Sequence, residues 1–227
     1  MRVRDEFSRH ADSYGECNRI QVEVAQKLLD MTSDYPRRIV DLGCGSGTLY
    51  RLIDWEVDYF VGVDFSSGML ALHPVSAEVE LRLADFNDPL VLAELQKRVY
   101  DRIYSASALQ WAEDLEAIFQ TLGGIKTPLS LAIFTSGTFK TLHKVAHIPP
   151  LLRSGEEIIA MAKKYMNAKY ELFETTLPFE SVLEMFRYIK RSGVSGGRNV
   201  LSFTQTKALM KHYPLTYLEF EVVFIST

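Results

Sequence analysis

Asp41-Leu42-Gly43-Cys44-Gly45-Ser46-Gly47 sets a carboxylate two residues ahead of three alternating glycines, a combination suited to holding a small ligand against bare backbone. Glycine lets the chain turn tightly and lets a ligand approach the main chain where a strand runs into a helix. The spacing bears on the ligand's charge. A dinucleotide fingerprint places its third glycine three positions after Gly45, and that position is Thr48. Asp41 points the same way, because a carboxylate repels a pyrophosphate and attracts a cation. The loop is therefore expected to hold a small molecule carrying positive charge, the alternative being a tight turn that binds nothing.

Further positions extend that site. Asp64 follows the loop by about 20 residues, where an acidic side chain accepts two ribose hydroxyls; it could equally cap the helix over 66–72. Asp85 with Phe86 suits an adenine, the carboxylate taking the amino group and the ring covering the base, although Asp85 also reads as a solvated loop carboxylate. Ser105-Ala106 offers small side chains where a donor and an acceptor would meet.

The elements that must position these residues follow from hydrophobic period. Residues 39–42, 60–63, 79–83, 103–105 and 129–134 are short apolar runs rich in β-branched residues, with helical patterns such as 90–99 and 115–122 between most of them. Strands alternating with helices predict parallel pairing through right-handed crossovers, hence an α/β fold with a doubly wound, mostly parallel seven-stranded sheet. Residues 20–29 place Ile20, Val24 and Leu28 at helical spacing, so segment 1–34 is expected to lay a helix over the site. After Phe134 two helical patterns flank Pro149-Pro150 before the next strand at 170–177, and residues 137–169 read as a helical insertion serving as a lid. Helices over 180–192 and 204–212 and a strand over 217–225 complete a single domain, residues 1–227.

A formal net charge of −4 supplies no global basic field and disfavours a nucleic-acid partner. No stretch approaches the roughly 18 apolar residues of a membrane span, and the N-terminus is charged, so the chain reads as cytoplasmic. Cys17 and Cys44 lack metal-ligand spacing and read as reduced, structural residues.

The acidic-x-Gly-x-Gly-x-Gly loop resembles the cofactor loop of the S-adenosylmethionine-dependent methyltransferases, which have a Rossmann-like fold. That resemblance implies S-adenosyl-L-methionine as cofactor and S-adenosyl-L-homocysteine as product. It assigns cofactor contacts to Asp41, Gly43, Cys44, Gly45 and Gly47 in the loop, to Asp64, Phe65 and Met69 after the second strand, and to Asp85 and Phe86 after the third. Ser105, Ala106, Gln110 and Trp111 complete the set after the fourth strand. A narrower resemblance covers nearly the whole chain. Phe7-Ser8-Arg9-His10-Ala11-Asp12-Ser13-Tyr14 followed by Gln21, Leu109-Gln110-Trp111, Phe134 to Leu142, Ile189 to Gly193 and Tyr213-Pro214-Leu215-Thr216-Tyr217 are similar, in order, to the malonyl-[acyl-carrier protein] O-methyltransferases of biotin synthesis.

The narrower resemblance implies methylation of the free carboxylate of a malonyl thioester, on acyl-carrier protein or coenzyme A. Tyr14, Arg187 and Lys190 are the candidates for gripping that carboxylate, with Arg187 and Lys190 three apart on one helix face. A solvated helix surface is the plain alternative for both cations, and packing is the alternative for Tyr14 and Trp111. Lys140, Lys144, Arg153, Lys163, Lys164 and Lys169 outnumber Glu156 and Glu157 in the insertion, a basic excess that either docks an acidic carrier or is simply solvated. Rival readings are methylation of another acceptor, a cofactor-binding module without turnover, and a nicotinamide dehydrogenase.

Overall fold

The computed structural model describes residues 18–191 and 202–227. Its centre is a seven-stranded sheet of β1 (Arg38–Leu42), β2 (Tyr59–Asp64), β3 (Val79–Leu83), β4 (Arg102–Ala106), β5 (Leu129–Phe134), β6 (Lys169–Pro178) and β7 (Tyr217–Ser226), ordered β3-β2-β1-β4-β5-β7-β6. β1 to β5 run parallel, while β7 lies antiparallel between β5 and β6. The strand order reverses between β1 and β4, and the crevice outside the carboxyl ends of these two strands is where an open α/β sheet takes its ligand.

Alternation within the strands explains why both faces are covered. Ile39, Phe60, Tyr104, Ala132 and Phe224 pack into one apolar layer, whereas Val40, Val61, Ile103, Leu131 and Val223 pack into the other. Neighbours along a strand point to opposite faces, so a strand buried on both faces reads as a continuous apolar run. Helix α1 (Arg19–Asp30) buries Ile20, Val24 and Leu28 in the first layer, near the short α2 (Thr48–Leu52). α3 (Ser67–Leu70) follows β2 as a short cap. α4 (Pro89–Leu95) and α5 (Leu115–Gly123) supply Leu92, Leu95, Ile118 and Phe119 to the second layer. α4 stops at Leu95, short of the predicted 99, because Arg98 turns out to bridge Glu80 at 2.9 Å and Val99 is left exposed. α8 (Val182–Arg191) and α9 (Phe203–His212) precede β7. Among the described residues no helix is long and apolar enough to cross a membrane.

The expected lid is not seen. α6 (Lys140–Ala146) buries Leu142 in the first layer, and α7 (Gly155–Lys163) buries Ile158 and Ala162 in the second, against β7 and α5. The two helical patterns were read correctly, but a helical pattern does not say what its apolar stripe covers. Here the sheet extends beyond β5 through β7 and β6, and α7 is the helix needed to cover that extension. Ile158→Ala is expected to lower the unfolding free energy by about 2–5 kcal/mol, the cost of a buried large-to-small change; a urea titration indistinguishable from the parent would restore a mobile lid.

Candidate functional site

The cleft opens where β1 ends. Asp41 stands on the same face of β1 as Ile39, toward the α1 layer, and is 2% exposed with its Oδ1 buried and, among the described residues, unpartnered. Burial, and then the nearby Asp64 carboxylate, push its pKa up to about 8. The chain next turns through Gly43, Gly45 and Gly47 at φ +75°, +54° and +87°, the left-handed region that glycine adopts at little cost.

This turn spends its own amides. Gly43 and Cys44 donate to the Val63 carbonyl at 2.7 and 3.1 Å, Gly45 donates to Asp64 Oδ2 at 2.9 Å, and Gly47 donates to the Cys44 carbonyl at 2.9 Å. A phosphate-binding nest needs those N–H groups turned outward. The loop is therefore closed to an anion on both counts, committed amides and inward carboxylates. Asp64 also accepts from Ser66 N at 2.8 Å, and burial raises its pKa against the pull of these two amides. The helix cap proper is Ser66, whose hydroxyl takes Met69 N, so Asp64 is a loop brace with its remaining lone pairs toward the cleft.

The cleft, counted with its open mouth, spans about 680 Å³. Of the residues expected to bind a cofactor, Asp41, Gly43, Cys44, Gly45, Asp64 and Phe65 line it, as do Met69, Phe86, Ala106 and Trp111. Four do not. Gly47 lies behind the loop, where a Cβ would meet His73 and Pro74 at 2.7 Å. Ser105 is fully buried and donates to the Leu42 carbonyl at 2.7 Å, tying β4 to the end of β1. Gln110 donates to the Ser107 carbonyl at 2.7 Å, and Asp85 accepts from Asn87 N and Nδ2 at 2.9 and 2.8 Å. These three shape the backbone around the cleft instead of entering it. Cys44 reaches the cleft but also fills the space left by Gly62, where a Cβ would lie 2.9 Å from its Sγ, and burial pushes its thiol pKa up.

Arg187 and Lys190 are exposed on α8, opposite buried Met185, and neither lines the cleft, so the solvated-surface alternative describes them. Tyr14, Cys17, segment 7–14 and Gly193 lie outside the described residues. The basic excess is split. Lys169 pairs with Ser226 at the end of the sheet where β5 begins, away from the cleft, and Lys164 is bound to Glu116 at 2.7 Å. Lys140, Lys144 and Arg153 follow the carboxyl end of β5; Lys140 is bound to Glu174 at 3.2 Å, and the Arg153 guanidinium reaches the carbonyls of Ala112 and Glu113 at 3.4 Å. Sequence reasoning left Ala25, Ser107 and Ala108 out of the site and assigned Gln21 no role. Ser107 has φ +62°, which no residue-type signal announces in a serine.

Residues 39–126 match the model of a methyltransferase domain family. The chain carries a methyltransferase domain. Its sheet is that of the S-adenosylmethionine-dependent methyltransferases, and S-adenosylmethionine is the cofactor. The fold is shared with the YcgJ protein of Bacillus subtilis, 13% identical over 89% of this chain and 96% of that one with a TM-score of 0.59. It is shared too with a Haemonchus contortus phosphoethanolamine N-methyltransferase solved with S-adenosyl-L-methionine, 15% identical over 99% of this chain and 59% of that one, TM-score 0.60. By sequence the methyltransferase is similar to the malonyl-[acyl-carrier protein] O-methyltransferases of Legionella pneumophila, 25% identical over 96% of this chain and 87% of the relative, and of Acetivibrio thermocellus, 31% identical over 80% and 66%. The residues present fit the cofactor. A buried, unpartnered carboxyl oxygen accepts from a cation, and the glycine cradle leaves room beside Phe65, Met69 and Phe86 for an apolar ring.

Two outcomes follow for the methyltransferase. A Cβ on Gly43 would lie 2.2 Å from Ala108 Cβ, whereas one on Gly45 meets nothing nearer than Met69 Cε at 3.8 Å. Gly43→Ala should therefore cost about 1–3 kcal/mol of overpacking beyond the left-handed strain both variants share, and equal denaturation midpoints for the two would contradict the geometry. Asp41 holds its proton more tightly folded, with a pKa of about 8, than its ordinary 3.8. Its contribution to stability is thus full below about pH 4 and is lost as pH rises through about 8. Asp41→Asn has nothing to ionise, so the melting temperature of the ligand-free variant should gain on the parent between pH 5 and 8.5, by about 2–4 °C for each 1 kcal/mol; a pH-independent difference would place the Asp41 charge elsewhere.

Proposed function

We propose that this methyltransferase converts the free carboxylate of a malonyl thioester, borne by acyl-carrier protein or coenzyme A, to its methyl ester at an early step of biotin synthesis. The observation that carries this reading is end-to-end similarity to proteins of that name, 25% identical over 96% of this chain and 27% identical over 98%. The motifs after β4 and before β7 add to it.

S-adenosylmethionine, when bound, supplies a methyl group on a cationic sulfur. The chain's own residues have a modest task because a carboxylate is already ionised at neutral pH and needs no general base. Asp41 and Asp64 fix the charged and the hydroxylated parts of the cofactor. Ala106 and Ala108 leave space at the end of β4 for an acceptor, and Trp111 walls that space. Alignment in a water-poor cleft is then the main source of rate, worth about 7–11 kcal/mol in favourable cases. Tyr14 is retained as a grip for the acceptor carboxylate, and Lys144 and Arg153, with Lys140 beside its partner Glu174, are the part of the basic excess that would receive an acidic carrier. Attraction of that kind weakens with salt.

Incubation of the protein with S-adenosylmethionine and malonyl-coenzyme A or malonyl-acyl-carrier protein should add one methyl group to the acyl moiety, read by mass spectrometry. Turnover of the carrier-linked substrate should fall as ionic strength rises. Transfer to a different acceptor class, with malonyl thioesters left unmodified, would overturn the assignment and leave the methyltransferase itself standing.

A further inference from the structure

The cleft contains a second unmet acceptor that the cofactor loop does not supply. Gln21 lines it from α1, is 9% exposed, and has its Oε1 buried without a hydrogen-bond partner among the described residues. Asp41 Oδ1 is in the same condition on the facing strand. A buried acceptor left unpaired costs about 1–3 kcal/mol. Ser107 Oγ, on the β4 side of the cleft, is also buried without a partner among the described residues, but a hydroxyl can donate as well as accept; the Gln21 and Asp41 oxygens both call for N–H donors from a ligand.

Gln21 is held there firmly. Ile20, Val24 and Leu28 anchor α1 in the apolar layer that includes Ile39 and Tyr104, so the helix cannot rotate without exposing them. Gln21 and Ala25, four apart and hence on one face, are the two residues of α1 that line the cleft. Ala25 leaves the neighbouring space empty, and Asn18 ties the helix start to Thr48 at 3.5 Å. On the strand side, Asp41 projects from β1 into the same layer that α1 covers.

We propose that Gln21 is a cofactor-binding residue whose Oε1, together with Asp41, accepts N–H groups of the ammonium on the amino-acid half of S-adenosylmethionine. This rests on the cofactor assignment above and extends the site from the strand ends to a helix that precedes the first strand. An ammonium has three N–H donors and no acceptor, so it satisfies both oxygens at once, where a carboxylate would satisfy neither. The alternative use of Gln21, donation from Nε2 to the cofactor's carboxylate, makes the opposite demand on a substitution.

Isothermal titration of S-adenosylhomocysteine and of 5′-methylthioadenosine, which lacks the amino-acid half, separates these roles. Gln21→Met is expected to weaken S-adenosylhomocysteine about tenfold, equivalent to about 1.4 kcal/mol, while Gln21→Glu, which keeps an acceptor, retains affinity close to the parent. Methylthioadenosine should bind the parent and both variants alike. Weakening by Gln21→Glu as great as by Gln21→Met overturns the acceptor role, and equal losses for both ligands reduce Gln21 to a packing residue. Absence of S-adenosylhomocysteine binding by the parent would strike the cofactor assignment instead, so the two failures are distinguishable.

Discussion

The structure depends on one uncomfortable placement, a carboxyl group taken out of water at the end of a central strand. At the opposite end of the sheet carboxylates have cations at hand: Asp58 with Arg37, Asp101 with Arg38 and Asp34 with Arg102, all where the parallel strands begin. At the other end, Asp41 has no cation bound to it among the described residues, and Asp64 is near enough to raise its pKa further. A buried charge without a partner is expensive, and a protein ordinarily responds by keeping the group neutral. Asp41 in the ligand-free protein does that, and the cost ends when a cationic ligand arrives. In the proposed site, affinity for S-adenosylmethionine would in this sense be prepared by a strain of solvation at Asp41.

The loop after Asp41 has to hold that geometry without competing for the ligand. Its amides turn inward to Val63, Asp64 and Cys44, which makes the loop rigid and leaves it without an anion-binding face. The same choice couples β1 to β2, since Val63 and Asp64 end β2 and brace the turn that ends β1. Ser105 couples β4 to β1 through the Leu42 carbonyl. The crevice where the strand order reverses is thus fixed by hydrogen bonds across three strand ends, and the apolar walls of Phe65, Met69 and Phe86 are set against that frame.

Much of this was legible in the residues because the relevant physics is local. Strands buried on both faces, such as β1 and β5, leave continuous apolar runs, and these, the half-exposed β3 and β6 and the alternating β7 all appear within a residue of their predicted bounds; the spacing of Gly43, Gly45 and Gly47 rejected a pyrophosphate before the amides were seen to be committed. What escaped was direction. Ser105, Gln110 and Asp85 stand beside the cleft but turn to carbonyls and amides of the main chain, a choice that sequence spacing does not encode. The apolar stripe of α7 is the same whether it closes over a ligand or packs on β7. Arg187 and Lys190 share a face as expected, and that face is the one away from Met185. Gln21 was visible only as part of a resemblance, because a single glutamine in an amphipathic helix gives no hint that its neighbours leave it unpaired.

The charge layout also constrains where an acceptor carboxylate would enter in the proposed reaction. Asp64, and Asp41 once it ionises against a cationic ligand, disfavour an incoming anion, and in a low-dielectric cleft that repulsion is stronger than at the surface. The approach is therefore from the β4 side, over Ala106 and Ala108 and past Trp111, where the lining is small or aromatic and carries no negative charge. Arg153 fixes the backbone at Ala112 and Glu113, just beyond Trp111, and so places a cation at the far edge of that approach. In the proposed reaction the cofactor would therefore sit on the carboxylate side of the cleft, and the acceptor would meet it from the small and aromatic lining at the end of β4.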